Sequence, residues 1–158
     1  MKRLSAAAFA ALACLLLAAC AGGPVRRVSE PAAAIQQLTV HADGSWDVAL
    51  RIDNFSSIPM RFEVVDLAVA VGGAPAGTLR GTAGITIGPE SADVATFRFS
   101  PSADARLRIA DALAARRSVP YSLAGRIDAT PEDARLSAFD IDRSSALSPV
   151  PGLPGVLR

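Results

Sequence analysis

Trp46-Asp47-Val48-Ala49-Leu50-Arg51-Ile52-Asp53 is the stretch that decides the fold. Trp46, Val48, Leu50 and Ile52 fall on one side of an extended chain, and Asp47, Arg51 and Asp53 on the other, which is the pattern of a half-buried strand. Just upstream, Ile35 to Ala42 alternates in the same way. Asp43-Gly44 separates the two runs, and a Gly that accepts positive φ beside an Asp that tolerates it signals a hairpin. The two strands are expected to pair.

Downstream, Met60 to Val71 holds Phe62 and Val64 in one phase but Leu67, Val69 and Val71 in the other. A period-two strand changes phase only through an extra residue, so a bulge is expected near Val65-Asp66. Gly72-Gly73 ends the run. Leu79, Ile85 to Ile87 and Val94 to Phe99 read as further strands divided by Gly84 and Gly88-Pro89, and Pro101 stops the last. Val119 to Asp128 alternates through Val119, Tyr121, Leu123 and Ile127. A turn at Thr130-Pro131-Glu132-Asp133 leads to Leu136 to Arg143, with Phe139 and Ile141 inward.

Ser102 to Arg117 has helical spacing instead, with Leu107, Ala110, Leu113 and Ala114 on one face. Ser102 is placed as N-cap, Asp104 lies in the first turn, and Arg116-Arg117 lie in the last. About seven short strands with one short helix predict a mostly β protein, an antiparallel β-sandwich of the immunoglobulin or fibronectin III type. The domain is expected over 32–148. Residues 20–31 read as a linker, in which Arg26-Arg27 is a solvated pair, and 149–158, with three prolines, as an extended tail.

The N-terminus is a different object. Met1-Lys2-Arg3 is basic, Leu4 to Leu17 is apolar but for Ser5, and Ala18-Ala19 precedes Cys20, which together form a secretory signal over 1–19. A retained helix across a hydrocarbon core of about 30 Å is the competing reading of so short and Ala-rich a run. Leu17-Ala18-Ala19-Cys20 resembles a bacterial lipobox, which implies cleavage before Cys20 and lipidation of its thiol. An ordinary signal-peptidase site with a free Cys20 is the alternative. With Ala21 and no Asp after the Cys, the resemblance implies a lipoprotein of the bacterial cell envelope, sorted to the outer membrane and facing the periplasm. Cys14 lies inside the segment to be removed, so no thiol is left for a disulfide or a metal.

The segment from Leu50 to Gly73, LRIDNFSSIPMRFEVVDLAVAVGG, resembles the late-embryogenesis-abundant type 2 proteins, also called the water-stress and hypersensitive-response (WHy) domain. Their pattern is an alternating strand ending in Asn, a short turn, a Pro step and a second long strand running into a Gly turn. Here those parts are Ile52-Asp53-Asn54, Phe55-Ser56-Ser57, Ile58-Pro59-Met60 and Leu67 to Gly73. The later order is similar too: Gly81, Gly88-Pro89, the helix, and Val119 to Gly125. The chain departs from the pattern at Phe55, where Pro is usual. The resemblance spans residues 33 to 149. It implies a sandwich fold, an association with desiccation and stress tolerance, and no catalytic residues.

The 158 residues carry 16 Lys plus Arg against 15 Asp plus Glu, a balance without the clustered cations that nucleic-acid binding uses. No Lys follows Lys2, and no GxSxG elbow, phosphate-binding loop or dinucleotide Gly cluster occurs. The protein is therefore expected to be no enzyme and to take no cofactor. His41 is the one His, and a zinc site needs more ligands than it offers. Asp140 and Asp142 share a strand face, with Glu132-Asp133 near in sequence, but the spacing is that of no calcium loop. Trp46 and Tyr121 fall on inward phases and are assigned to the core, and Asn54 to a turn hydrogen bond.

The function expected is that of a membrane-anchored envelope lipoprotein with a non-catalytic WHy-type sandwich that protects against stress. Besides the membrane, the partner class left open is other proteins: the alternative is an envelope adaptor that docks one through an exposed sheet edge. An uncharged, Val-rich edge such as Val64 to Val71 would favour it.

Overall fold

The computed structural model describes residues 26–158. The signal segment, Cys20 and the first part of the linker lie outside the described residues. The elements are β1 (Ala32–Val40), β2 (Trp46–Asn54), β3 (Met60–Val71), β4 (Ala74–Ile87), β5 (Ser91–Phe99), α1 (Ala103–Ala115), β6 (Val119–Pro131), β7 (Ser137–Leu147) and β8 (Val156–Leu157).

The strands form two four-stranded sheets, β5-β2-β1-β8 and β4-β3-β6-β7, paired antiparallel throughout. The chain leaves the first sheet after β2, makes the β3–β4 hairpin in the second, and returns for β5. This is the order of a fibronectin-type sandwich, with β8 added at one margin. The inward phase of β2 behaves as its alternation requires: Trp46, Val48, Leu50 and Ile52 are all fully buried. They face Phe62, Val65, Leu67 and Leu123 of the other sheet, and the two sets form one continuous core. Trp46 also meets Phe99 edge to face, with ring centroids 5.7 Å apart.

The expected β1–β2 hairpin is present, turning through Gly44 at φ 80°. The phase change in β3 is present as well, but it comes earlier than Val65-Asp66. The register with β6 slips between Phe62 and Val65, so the extra residue lies at Glu63-Val64. Val65 is buried and Val64 exposed, so Val64 does not share the phase of the buried Phe62 as expected. Two adjacent valines can each take the inward position, and alternation alone does not choose between them. Leu79 and Ile85–Ile87 belong to one long strand, not two. Gly84, at φ 64°, is absorbed as a bulge where β4 gains a residue over β3.

Val64–Val71 is no sheet edge. β3 is flanked by β4 and β6, so both of its hydrogen-bonding sides are used. Gly125 on β6 faces Leu67 of β3 at a place where the strands approach closely. A Cβ there would collide with the Asp66 carbonyl, and the backbone sits at φ 150°. Only Gly meets both conditions.

Helix α1 begins as expected: the Ser102 hydroxyl accepts from Ala105 N–H and Asp104 lies in the first turn. Its buried face, however, is Ala105, Ile109 and Ala112, while Leu107 is 68% exposed. Ser102 fixes the rotation, donating from its N–H to Ala76 O and from its hydroxyl to Pro75 O on β4. Small alanines then let the helix lie close on the sandwich. No basic residue falls in the last turn; Arg116 is the C-cap, in the left-handed region at φ 49°.

Both ends of the domain are longer than expected. The tail is folded back: Pro149 pairs with Leu157, and β8 joins the margin of β1 through Leu38–Leu157 and Thr39–Val156. Leu157 is fully buried. At the other end Arg26 and Arg27, expected as a solvated linker pair, are both held by the domain. The β6–β7 connection begins at Glu132, later than Thr130, because β6 continues through Pro131.

Candidate functional site

The most highly cross-linked polar region lies at one pole of the sandwich, where the β2–β3, β4–β5 and β6–β7 connections meet the N-terminal segment. Its centre is Asn54. The Asn54 amide is fully buried; Nδ2 donates toward the carbonyls of Ile58, Ile87 and Gly88 at 3.0, 3.1 and 2.9 Å, and Oδ1 accepts from Ser56 N–H at 2.9 Å. One side chain thus closes its own turn and fastens it to the end of β4. Asn54 was expected to make a turn hydrogen bond; its bonds to β4 join parts of the chain more than 30 residues apart, which no local pattern signals.

Around this centre the loops bond to each other. Ser56 O accepts from Glu90 N–H, and Pro59 O accepts from Glu132 N–H. The buried Ser56 hydroxyl accepts from Ser29 N–H, and Arg27 and Ser57 exchange two bonds, Arg27 N–H to Ser57 Oγ and Ser57 N–H to Arg27 O. Arg26 bridges to Glu132 at 3.4 Å and Asp133 at 3.1 Å, and Arg27 to Glu90 at 3.6 Å. Arg27 Nη2 also donates to Phe55 O. Phe55 itself, the residue at the position where the WHy pattern has Pro, is half exposed.

The opposite pole carries α1, the β1–β2 and β3–β4 turns, and the tail loop. An open groove of about 650 Å³ runs between the end of α1, at Leu113 and Arg116, and residues 149–155. In the β1–β2 turn the Ser45 hydroxyl and N–H both donate to Asp43 Oδ1, at 2.6 and 2.9 Å, and Arg98 lies beside it. The two Ser45 hydrogen bonds hold the Asp43 carboxyl below its ordinary value, with Arg98 and His41 adding to the effect.

His41 faces Asp47, with Nε2 2.7 Å from Oδ2. Among the described residues no three His, Cys, Asp or Glu side chains are grouped as metal ligands. Asp140 and Asp142 are exposed on β7. Asp140 stands opposite Arg126 in register, Arg126 opposite Asp66, and Asp66 pairs with Arg80 at 2.5 Å, so the outer face of this sheet carries a row of alternating charge across four strands. Glu132 and Asp133 are at the Arg26 pole, not beside this row. Trp46 and Tyr121 are in the core, as their phases require.

No protein-family model matches the chain, and no curated protein sequence matches it. Solved structures do. A protein from Archaeoglobus fulgidus aligns at 14% identity over 78% of this chain and 98% of its own, with a TM-score of 0.41. A Northeast Structural Genomics Consortium target, SoR45, aligns at 12% identity over 80% and 92%, with a TM-score of 0.48. A protein from Bordetella pertussis with the provisional name ApaA aligns at 12% identity over 82% and 100%, with a TM-score of 0.47. The name ApaA belongs to that protein alone.

Proposed function

We propose that this protein is a membrane-anchored envelope lipoprotein whose WHy-type sandwich is non-catalytic and protects neighbouring proteins during water loss. The observation that carries the reading is the Asn54 centre. The strand, Asn, turn, Pro step and second strand that resemble the WHy pattern fold as one unit. Asn54 is the residue that holds this unit to the rest of the sandwich. The surface ion pairs Arg51–Asp53, Arg80–Asp66 and Arg98–Asp43 support the same reading, because paired charge keeps the faces that carry it hydrated.

The adaptor reading loses the edge that favoured it, since Val64–Val71 is interior. The margins of the sheets are β4 and β5, which are broken by glycines or charged, the acidic β7, and the two-residue β8. Drying a labile enzyme beside the soluble domain, or beside an equal mass of albumin, tests the protective role. Higher recovered activity with the domain is the expected result; equal recovery would overturn it.

A further inference from the structure

We propose that the Asn54 pole is the membrane-facing end of the protein and that Val28, Phe55 and Leu136 form its contact surface with a phospholipid bilayer. The inference rests on the lipidation of Cys20 and deepens that reading by giving the anchored domain a fixed orientation.

The first argument is the length of chain between lipid and domain. Arg26 and Arg27 are fastened to the β6–β7, β2–β3 and β4–β5 connections, so the tether effectively ends at Arg26. Cys20 stands six residues before it. Even fully extended, six residues reach only about 20 Å. Acyl chains on Cys20 therefore draw this pole, and no other part of the domain, to the lipid surface. β3 runs 12 residues from this pole, which places the α1 pole about 40 Å farther from the membrane.

The second argument is where apolar surface is exposed. Six large hydrophobic side chains are exposed among the described residues, and three of them belong to segments of this pole: Val28 at 47%, Phe55 at 50% and Leu136 at 56%. Val28 follows the two docked arginines, Phe55 gives its carbonyl to Arg27, and Leu136 closes the connection that Arg26 grips. The others are spread over the outer face of β3, the helix and the tail loop.

The third argument is charge. The Arg26 and Arg27 side chains lie against Glu132, Asp133 and Glu90, so the cations nearest the anchor are already paired. A contact held by acyl chains and apolar side chains does not need anionic headgroups.

The mature chain has no thiol beyond the lipid-capped Cys20, so an introduced cysteine carries a unique label. The full lipidated protein is prepared as Leu136→Cys and, for the far pole, as Leu153→Cys. Each is labelled with an environment-sensitive fluorophore and placed in phosphatidylcholine vesicles containing nitroxide-labelled lipid. Quenching at position 136 is expected to exceed that at 153 severalfold. Adding Val28→Ser and Phe55→Ser to the Leu136→Cys protein is expected to bring its quenching down toward the far-pole level. Equal quenching at the two poles would overturn the orientation, and quenching unchanged by the serine pair would overturn the apolar contact. Mass measurement of the N-terminal peptide reports lipidation separately. A lipidated protein with equal quenching leaves the lipoprotein reading standing and removes only the orientation, whereas an unlipidated Cys20 removes both.

Discussion

The Tyr121 hydroxyl, on β6 in one sheet, accepts a hydrogen bond from the Ile35 N–H, on β1 in the other, at 3.1 Å. The bond falls where β1 departs from its register with β2, between Ile35 and Gln37. A bulge leaves a backbone donor without its ladder partner, and here a side chain from the opposite sheet satisfies it. The contact joins the two layers through the core by a directed bond as well as by packing.

Replacing Tyr121 with Phe keeps the ring and leaves the buried Ile35 N–H unsatisfied. The expected loss is about 1–3 kcal/mol. Urea unfolding would show it as a lower midpoint with an unchanged slope.

Asn54→Ala removes the donor shared by three carbonyls and the acceptor for Ser56, and is expected to destabilise the fold by about 3 kcal/mol. Asn54→Asp separates geometry from hydrogen-bond polarity. A carboxylate cannot donate to the Ile58, Ile87 and Gly88 carbonyls, so this variant is expected to be less stable than Ala at neutral pH and to recover part of the difference in acid, where the protonated group has a donor again. Thermal melts at pH 4 and pH 7 distinguish the two substitutions.

Leu157→Ala tests whether the tail is part of the core. The residue is fully buried although it lies in the Pro-rich segment that reads as an extended tail. A loss of about 2–4 kcal/mol is expected, in the range of buried leucine truncations. A change below about 0.5 kcal/mol, as for ordinary surface positions, would show the tail to be dispensable.

Asp43 predicts a pH dependence. Its folded carboxyl is held below the ordinary value of 3.8, chiefly by the two bonds from Ser45. A lowered folded pKa means that the unfolded chain takes up the proton first on acidification. The contribution is therefore present above the ordinary value and lost as pH falls through the folded one. Wild type and Asp43→Asn are expected to differ in denaturation midpoint at pH 6 and to converge as the pH approaches 2.

How much was legible in the sequence follows from the range of the interactions concerned. The β1–β2 hairpin and the buried phase of β2 were readable because alternation is a local signal and Asp43-Gly44 marks the turn. The bulge in β3 was readable in kind but misplaced by about two residues, since Val64 and Val65 are equally apolar. The helix is legible from its spacing, but the expected face is Leu107, Ala110, Leu113 and Ala114, whereas the capping contacts of Ser102 with β4 turn Ala105, Ile109 and Ala112 inward. The candidate pole was the least legible part. Arg26 finds its acidic partners 106 and 107 residues away, and a pair of arginines in a Gly- and Pro-rich segment carries no local mark of that docking.

Pairing β8 with β1 makes Val156 and Leu157 neighbours of a strand more than 110 residues upstream. During synthesis from the N-terminus, the β5-β2-β1-β8 sheet cannot be completed until Val156 and Leu157 have emerged. The β1 margin at Leu38 and Thr39 stays open until then. A product cut before Val156 would lack the strand that closes this margin, and the backbone of Leu38 and Thr39 would be left as an open edge.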